Sequence, residues 1–272
     1  MPSPAKILVF DSGLGGLTVL AEIMALRPDA GCIYAADDAV FPYGRLAESD
    51  LVARVNQIMA ALIPAHRPDV VVIACNTAST LVLPRLRALY PHVPFVGTVP
   101  AIKPAAQASR SRMISVLATP GTVTRDYTQA LVRDFASHCD VTLVGATSLA
   151  SLAERYMQGE AIAEAEVATE IAPAFVARNS QRTDTIVLAC THYPLLKTIF
   201  ERTQPWPVTW IDPAPAIARR TDEVLRGHRL WPQDTACPGP RAAVFTSNRK
   251  PGLALEGALR LRGLVTIEPY AE

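Results

Sequence analysis

Two stretches decide the fold: Val71-Val72-Ile73-Ala74-Cys75-Asn76-Thr77-Ala78-Ser79 and Thr185-Ile186-Val187-Leu188-Ala189-Cys190-Thr191-His192-Tyr193-Pro194. Each is an unbroken, β-branched apolar run that ends in a cysteine followed by short polar side chains. A run that is apolar at every position, rather than at alternate ones, suits a strand covered on both faces of a parallel sheet. Superposing Cys75 on Cys190 brings Pro100-Ala101-Ile102 over Pro215-Ala216-Ile217, each tripeptide starting 25 residues after its cysteine, and Phe95 over Trp210. Upstream, each half carries an apolar strand that runs into a glycine-bearing turn, Asp11-Ser12-Gly13-Leu14-Gly15-Gly16 and Thr119-Pro120-Gly121-Thr122. The chain reads as two versions of one α/β unit.

Outward from these stretches, short β-branched runs alternate with helix-patterned ones. The strands expected are 7–10, 32–35, 70–74, 95–96, 114–117, 141–144, 185–189, 208–211, 243–245 and 265–267, with helices at 17–26, 46–65, 78–89, 122–135 and 160–177. Pro173 should kink or break the last of these. The β-α-β-α order gives an α/β protein of two pseudo-symmetric, doubly wound lobes with mostly parallel sheets. The repeat alone would divide the chain near residue 105. Ligands of such sheets bind beyond the carboxyl ends of the strands. Asp11, Ser12, Cys75 to Thr77, Thr119 to Thr122 and Cys190 to His192 all fall there, so the active site is expected in an inter-lobe cleft to which each lobe brings one cysteine.

Composition bounds the rest. The 272 residues allow one large domain or two lobes of roughly 130 residues each. Half the chain is hydrophobic, ample for a core. Lys plus Arg (26) nearly cancels Asp plus Glu (25), which argues against a direct nucleic-acid grip. Five cysteines without a CxxC pair argue against a disulfide framework or a zinc ribbon, and neither His192 nor the cysteines have metal-ligand spacing. The start, Met1-Pro2-Ser3-Pro4-Ala5-Lys6, lacks a signal-peptide pattern, and the apolar run around 70–75 is far short of the ~18 residues of a membrane span. These features predict a cytoplasmic protein with reduced thiols and no membrane association.

Two opposed cysteines could invert a carbon centre. One thiolate removes a proton from one face while the other thiol returns a proton to the opposite face, and an unperturbed thiol pKa of ~8.5 suits both tasks. His192, two residues after Cys190, and Asp11, at the first strand end, are the candidate helpers. Ser12, Asn76, Thr77 and Thr191 offer short polar groups for a carboxylate or an ammonium. The Asp11-to-Gly16 segment fits neither GxGxxG nor GxxxxGK[ST], and a structural turn and a ligand loop remain equal readings of it. Cys32, Cys139 and Cys237 lack such company and read as bystanders; His66, His92, His138 and His228 read as surface residues. None of the four lysines, Lys6, Lys103, Lys197 and Lys250, sits at a glycine-rich strand end suited to a pyridoxal aldimine. Proton transfer without a cofactor is the economical reading.

At these motifs the chain resembles the aspartate/glutamate racemase superfamily and, within it, the glutamate racemases. The resemblance rests on 10–17 (FDSGLGGL), Pro42-Tyr43-Gly44, 74–79 (ACNTAS), 119–123 (TPGTV) and 189–196 (ACTHYPLL), in the family's order, and covers Lys6 to about Ala218. It implies cofactor-independent interconversion of L- and D-glutamate, supplying D-glutamate for peptidoglycan. Cys75 would deprotonate D-glutamate and Cys190 L-glutamate, with Asp11 and His192 assisting their respective thiols. Substrate would be held by Asp11, Ser12, Tyr43, Gly44, Asn76, Thr77, Thr191 and His192, with Thr119 and Thr122 as additional contacts. Glu154 corresponds loosely to an acidic residue near the second thiol, and Ala189 stands where many relatives carry glycine. The family's chain returns to its first lobe, which places lobe one at 1–98 plus 211–272 and lobe two at 99–210. A homodimer, and DNA gyrase as a secondary partner, belong to the same implication. The rival reading is a superfamily member acting on another acid such as aspartate, against which the Thr-His-Tyr-Pro and Pro-Tyr-Gly motifs speak.

Overall fold

The computed structural model describes residues 4–232 and 239–271, so Cys237 lies outside the described residues. The chain forms two compact units, Met1–Thr98 with Ala214–Glu272, and Val99–Pro213.

The first unit begins β1 (Lys6–Asp11), α1 (Leu17–Leu26), β2 (Gly31–Ala36), α2 (Glu48–His66), β3 (Val70–Ile73), α3 (Asn76–Leu89) and β4 (Phe95–Gly97). The second holds α4 (Ile102–Ala108), β5 (Met113–Ala118), α5 (Pro120–Val123), α6 (Asp126–Phe135), β6 (Asp140–Gly145), α7 (Leu149–Met157) and α8 (Glu164–Ile171). A small hairpin, β7 (Ala177–Arg178) and β8 (Gln181–Arg182), then leads to β9 (Thr185–Ala189), α9 (Lys197–Thr203) and β10 (Thr209–Ile211). The chain completes the first unit with α10 (Ala214–Gly227), β11 (Arg241–Phe245), α11 (Leu253–Leu261) and β12 (Thr266–Pro269).

The first sheet runs β12-β11-β2-β1-β3-β4 and the second β10-β9-β5-β6, every pairing in both being parallel. The block β2-β1-β3-β4 thus has the order of β6-β5-β9-β10. Register repeats as well: Val71 pairs with Phe95 and Ile186 with Trp210, while Phe10 pairs with Ile73 and Leu117 with Leu188. The two sheets are therefore copies in order and in register, with β11 and β12 added to the first.

All ten runs read as strands contribute strands; the central β1, β3, β5 and β9 are sealed on both faces, while β6, β10 and β12 stay partly exposed. The four residues of β3 have no solvent exposure, and burying such side chains stabilises the fold by about 1.5–3 kcal/mol each. Four helices differ from their sequence reading, α2 by starting at Glu48, two residues later than expected. The stretch 122–135 is two helices, α5 and α6, separated by Thr124 and Arg125. The stretch 160–177 contributes only α8 and a 3-10 turn at Ala172–Ala174, because Pro173 has no N–H to continue the ladder. Helix α3 starts at Asn76, two residues earlier than expected, with Cys75 at its N-cap position. The hairpin at 177–182 was not anticipated: its strands are two residues long and exposed, and Asn179 and Ser180 both take positive φ at its turn.

The returning segment is tied to the first unit by a buried charge cluster. Arg27, 1% exposed, donates to Asp29 at 2.9 Å, to Asp222 of α10 at 3.3 Å and to the Leu230 carbonyl at 3.1 Å.

Candidate active site

In the first unit the polar side chains collect where β1, β2 and β3 end. Cys75 is buried, with its Sγ 3.7 Å from Ser12 Oγ. Its place at the N-cap of a 14-residue helix puts the thiol at the positive end of the helix dipole, a setting that favours the thiolate. Asp11 is fully buried, and its Oδ1 accepts the Gly13 N–H at 3.0 Å, which shapes the turn after β1. Tyr34 fixes the same turn by donating its hydroxyl to the Gly13 carbonyl. Gly16 is required there for space: a Cβ would lie 2.7 Å from Asp11 Cβ, 3.1 Å from Tyr34 and 3.2 Å from Ala74. The Ser12 hydroxyl lies within hydrogen-bond range of the Cys75 sulfur.

Asn76 and Thr77 are buried in the first turn of α3. The Asn76 side chain is 2% exposed, and neither its Oδ1 nor its Nδ2 has a hydrogen-bond partner. A buried amide with both ends unsatisfied costs stability unless a ligand completes it.

Tyr43 and half-buried Gly44 lie in a 3-10 turn after β2. The Tyr43 ring is buried, and its hydroxyl donates to Asp37 Oδ2 at 2.6 Å. Burial, then the Asp37 charge, push the phenol pKa up, so it stays a donor. Asp37, wholly buried, also receives Arg54 Nε at 3.0 Å, Arg54 Nη2 at 2.7 Å and Thr246 Oγ1 at 2.5 Å, while its own N–H donates to the Asp11 carbonyl at 2.9 Å. One carboxylate thereby holds the Tyr43 turn, α2, the end of β11 and the end of β1 together. Sequence reading missed it, because Asp37 belongs to no motif and Thr246 is 209 residues away.

The second unit repeats the pattern at the ends of β5 and β9. Cys190 is buried, with its Sγ 3.8 Å from His192 Nδ1, and His192 Nε2 lies 2.7 Å from Glu154 Oε1 on α7. Burial by itself would push the His192 pKa down. Its hydrogen bonds and attraction to Cys190 and Glu154 outweigh burial and hold it well above the ordinary histidine value. The geometry therefore suits an imidazolium beside the Cys190 sulfur. Thr191 is buried beside them. Thr119 and Thr122, at the start of α5, pair through their hydroxyls at 2.9 Å, and Thr128 donates to the Thr122 carbonyl at 2.7 Å. In chain order Thr119 occupies the place of Ser12, and Thr191 that of Asn76.

The bystander thiols differ in kind. Cys32 lies inside β2, where burial pushes its pKa up to about 12; Cys139 is half-buried and also raised by burial. Both are poor nucleophiles at neutral pH. Among the described residues, no group of three or more His, Cys, Asp or Glu could hold a metal ion, and no helix is long and apolar enough to cross a membrane.

The family described as Asp/Glu/Hydantoin racemase matches residues 18–221. The glutamate racemase of Brucella anthropi is 58% identical over 258 residues, covering 95% of this chain and 92% of that protein. The glutamate racemase of Brucella canis is 51% identical over the same shares. Among solved structures, Escherichia coli glutamate racemase in complex with L-glutamate and the activator UDP-MurNAc-Ala superposes with a TM-score of 0.89 at 37% identity, covering 98% of each chain. Thermus thermophilus glutamate racemase in complex with β-chloro-D-alanine superposes with a TM-score of 0.73 at 26% identity, covering 99% of this chain and 98% of that one.

Proposed function

The chain belongs to the Asp/Glu/Hydantoin racemase family, and from that premise we propose that it interconverts L- and D-glutamate with Cys75 and Cys190 as the two acid–base groups. The observation that carries this reading is the matched placement of the two thiols. Each follows the same strand of a duplicated sheet, and each has a partner for its sulfur, Ser12 at 3.7 Å and His192 at 3.8 Å.

In the L-to-D direction, the Cys190 thiolate takes the α-proton and becomes a thiol, leaving the electron pair on the α-carbon and its carboxylate. The Cys75 thiol then gives its proton to the opposite face and becomes a thiolate. The reverse reaction starts from that state, so no proton is gained or lost over the cycle. The His192 imidazolium, oriented by Glu154, stabilises the Cys190 thiolate; Ser12 and the start of α3 do so for Cys75, with Asp11 as its acid–base helper. The unsatisfied Asn76 amide, with both donor and acceptor atoms, suits the ammonium and carboxylate at the reacting carbon. Asp11, Thr77, Thr119, Thr122, Thr191 and the Tyr43–Gly44 turn are the remaining proposed substrate contacts, the turn acting through its backbone because the Tyr43 hydroxyl is held by Asp37. The product D-glutamate would supply peptidoglycan synthesis.

The test is turnover of L- and D-glutamate in deuterated water by the wild type, Cys75→Ser and Cys190→Ser. The wild type should place deuterium at the α-carbon of the product, and each variant should lose racemisation almost completely. Full activity of either variant refutes the two-thiol scheme, and turnover of aspartate in place of glutamate refutes the substrate.

A further inference from the structure

On the face of the first sheet that α2 covers, two charged side chains stand where apolar ones are the rule. Register places them. Lys6 lies two positions before Leu8 on β1, and Leu8 pairs with Ile33 and packs in the core beneath α2. Glu268 of β12 pairs with Val244 of β11, which pairs with Ala35 of β2, and both partners belong to that same core. Side chains alternate along a strand and paired positions share a face, so Lys6, Ile33 and Glu268 all project to the α2 side.

These three residues line a cavity of about 310 Å³ together with the end of α2 (Ala65, His66), Pro68 and Pro240. Gly31, also in the lining, leaves the floor without a side chain; Pro240 sits over it, 3.0–3.1 Å from where a Cβ would stand. The cavity lies at the starting ends of β1 and β2, at the opposite edge of the sheet from Cys75.

Its polar groups are set for opposite charges. Among the described residues no side chain pairs with the Lys6 ammonium, although the Lys6 backbone N–H donates to Asp69 Oδ2 at 2.8 Å. Glu268 is half-buried, and its Oε2 lies 3.8 Å from His66 Nδ1, beyond a hydrogen bond. His66 is the last residue of α2, so the negative end of that helix dipole lies at the same wall. A cation on β1 and a carboxylate on β12 thus border one apolar space.

We propose that this cavity is a second ligand site, separate from the cysteines, for a free amino acid with an apolar side chain. The ligand carboxylate faces Lys6, its ammonium faces Glu268 and the end of α2, and its side chain packs on Ile33, Pro68 and Pro240. Size agrees: the cavity is at the small end of the roughly 300–1,000 Å³ range of ligand sites, room for an amino acid but not for a nucleotide. Glutamate fits poorly, because its second carboxylate would be desolvated against apolar surface.

The test is an amide NMR titration of the full chain with L-leucine. The amides of Ile7, Ile33 and His66 should shift with a Kd of about 1 mM or tighter. Glu268→Gln and Lys6→Met should each weaken binding at least about tenfold, as should N-acetyl-L-leucine and L-leucinamide, which lack one charge each. L-Glutamate should leave these amides in place. Neither substitution touches the cysteine site, so glutamate turnover and circular dichroism should match the wild type and show that the fold is intact. The proposal is overturned if these amides stay unmoved up to about 20 mM leucine, or if shifts are confined to amides beside Cys75 and Cys190. Variants or singly charged analogues that bind as tightly as leucine binds the wild type overturn it as well.

Discussion

Replacing Glu154 by glutamine keeps the shape of the His192 partner and removes its charge. The contact removed is 2.7 Å long, with the histidine side chain 2% and the carboxylate 12% exposed, so solvent does little to screen it. A hydrogen bond to a charged group contributes about 1.5–3 kcal/mol, and the same loss in the transition state slows proton transfer at Cys190 about 10- to 150-fold. Because the two enantiomers are equal in free energy, kcat/KM must fall by the same factor in both directions, and the total rate alone does not locate the damage. The α-deuterium isotope effect does. With proton transfer at Cys190 made slower, the effect on kcat/KM should grow for L-glutamate, whose proton Cys190 removes. It should shrink for D-glutamate, whose proton Cys75 removes in a step that becomes reversible. Stability gives an independent readout. The His192 pKa is raised in the fold, so its stabilisation is complete below the unfolded histidine value of ~6.5 and is lost as pH rises through the higher folded value. The difference in denaturant midpoint between wild type and Glu154→Gln should therefore be largest near pH 6 and shrink toward alkaline pH. An unchanged kcat/KM, or isotope effects that move together for the two enantiomers, would refute the reasoning.

Asn76→Ala should raise KM for glutamate by at least about tenfold while leaving the unfolding midpoint unchanged or higher, since the amide removed has no partner within the chain. Asp37→Ala strands the Arg54 guanidinium and the Tyr43 hydroxyl, and should cost about 3–5 kcal/mol in urea unfolding. Gly16→Ala drives a methyl to 2.7 Å from Asp11 Cβ and should cost about 1–3 kcal/mol, with a loss of turnover that Ala substitution at Gly257 does not share.

Much of the molecule was legible before folding because its signals are local. Strands β1, β3, β5 and β9 are apolar at nearly every position, and burial on both faces leaves no alternative reading. The two cysteines stood out because duplication placed them at equal points in two similar segments, and the shared register of Val71 with Phe95 and Ile186 with Trp210 is the three-dimensional form of that repeat. His192 was visible because it lies two residues from its sulfur. The hairpin at 177–182 was not, since short exposed strands carry no hydrophobic period.

Only the tertiary structure could decide which side chains complete these motifs. Glu154 reaches His192 across 38 positions. Asp37 gathers Tyr43, Arg54 and Thr246 over as many as 209. The requirement for glycine at position 16 comes from three neighbours on three other elements, while the freedom around position 257 comes from the absence of any. Apolar periodicity and repeated motifs are properties of neighbouring residues and can be read along the chain. Hydrogen-bond partners, burial and clearance are properties of the packed sheets and helices, and they exist only once distant segments are brought together.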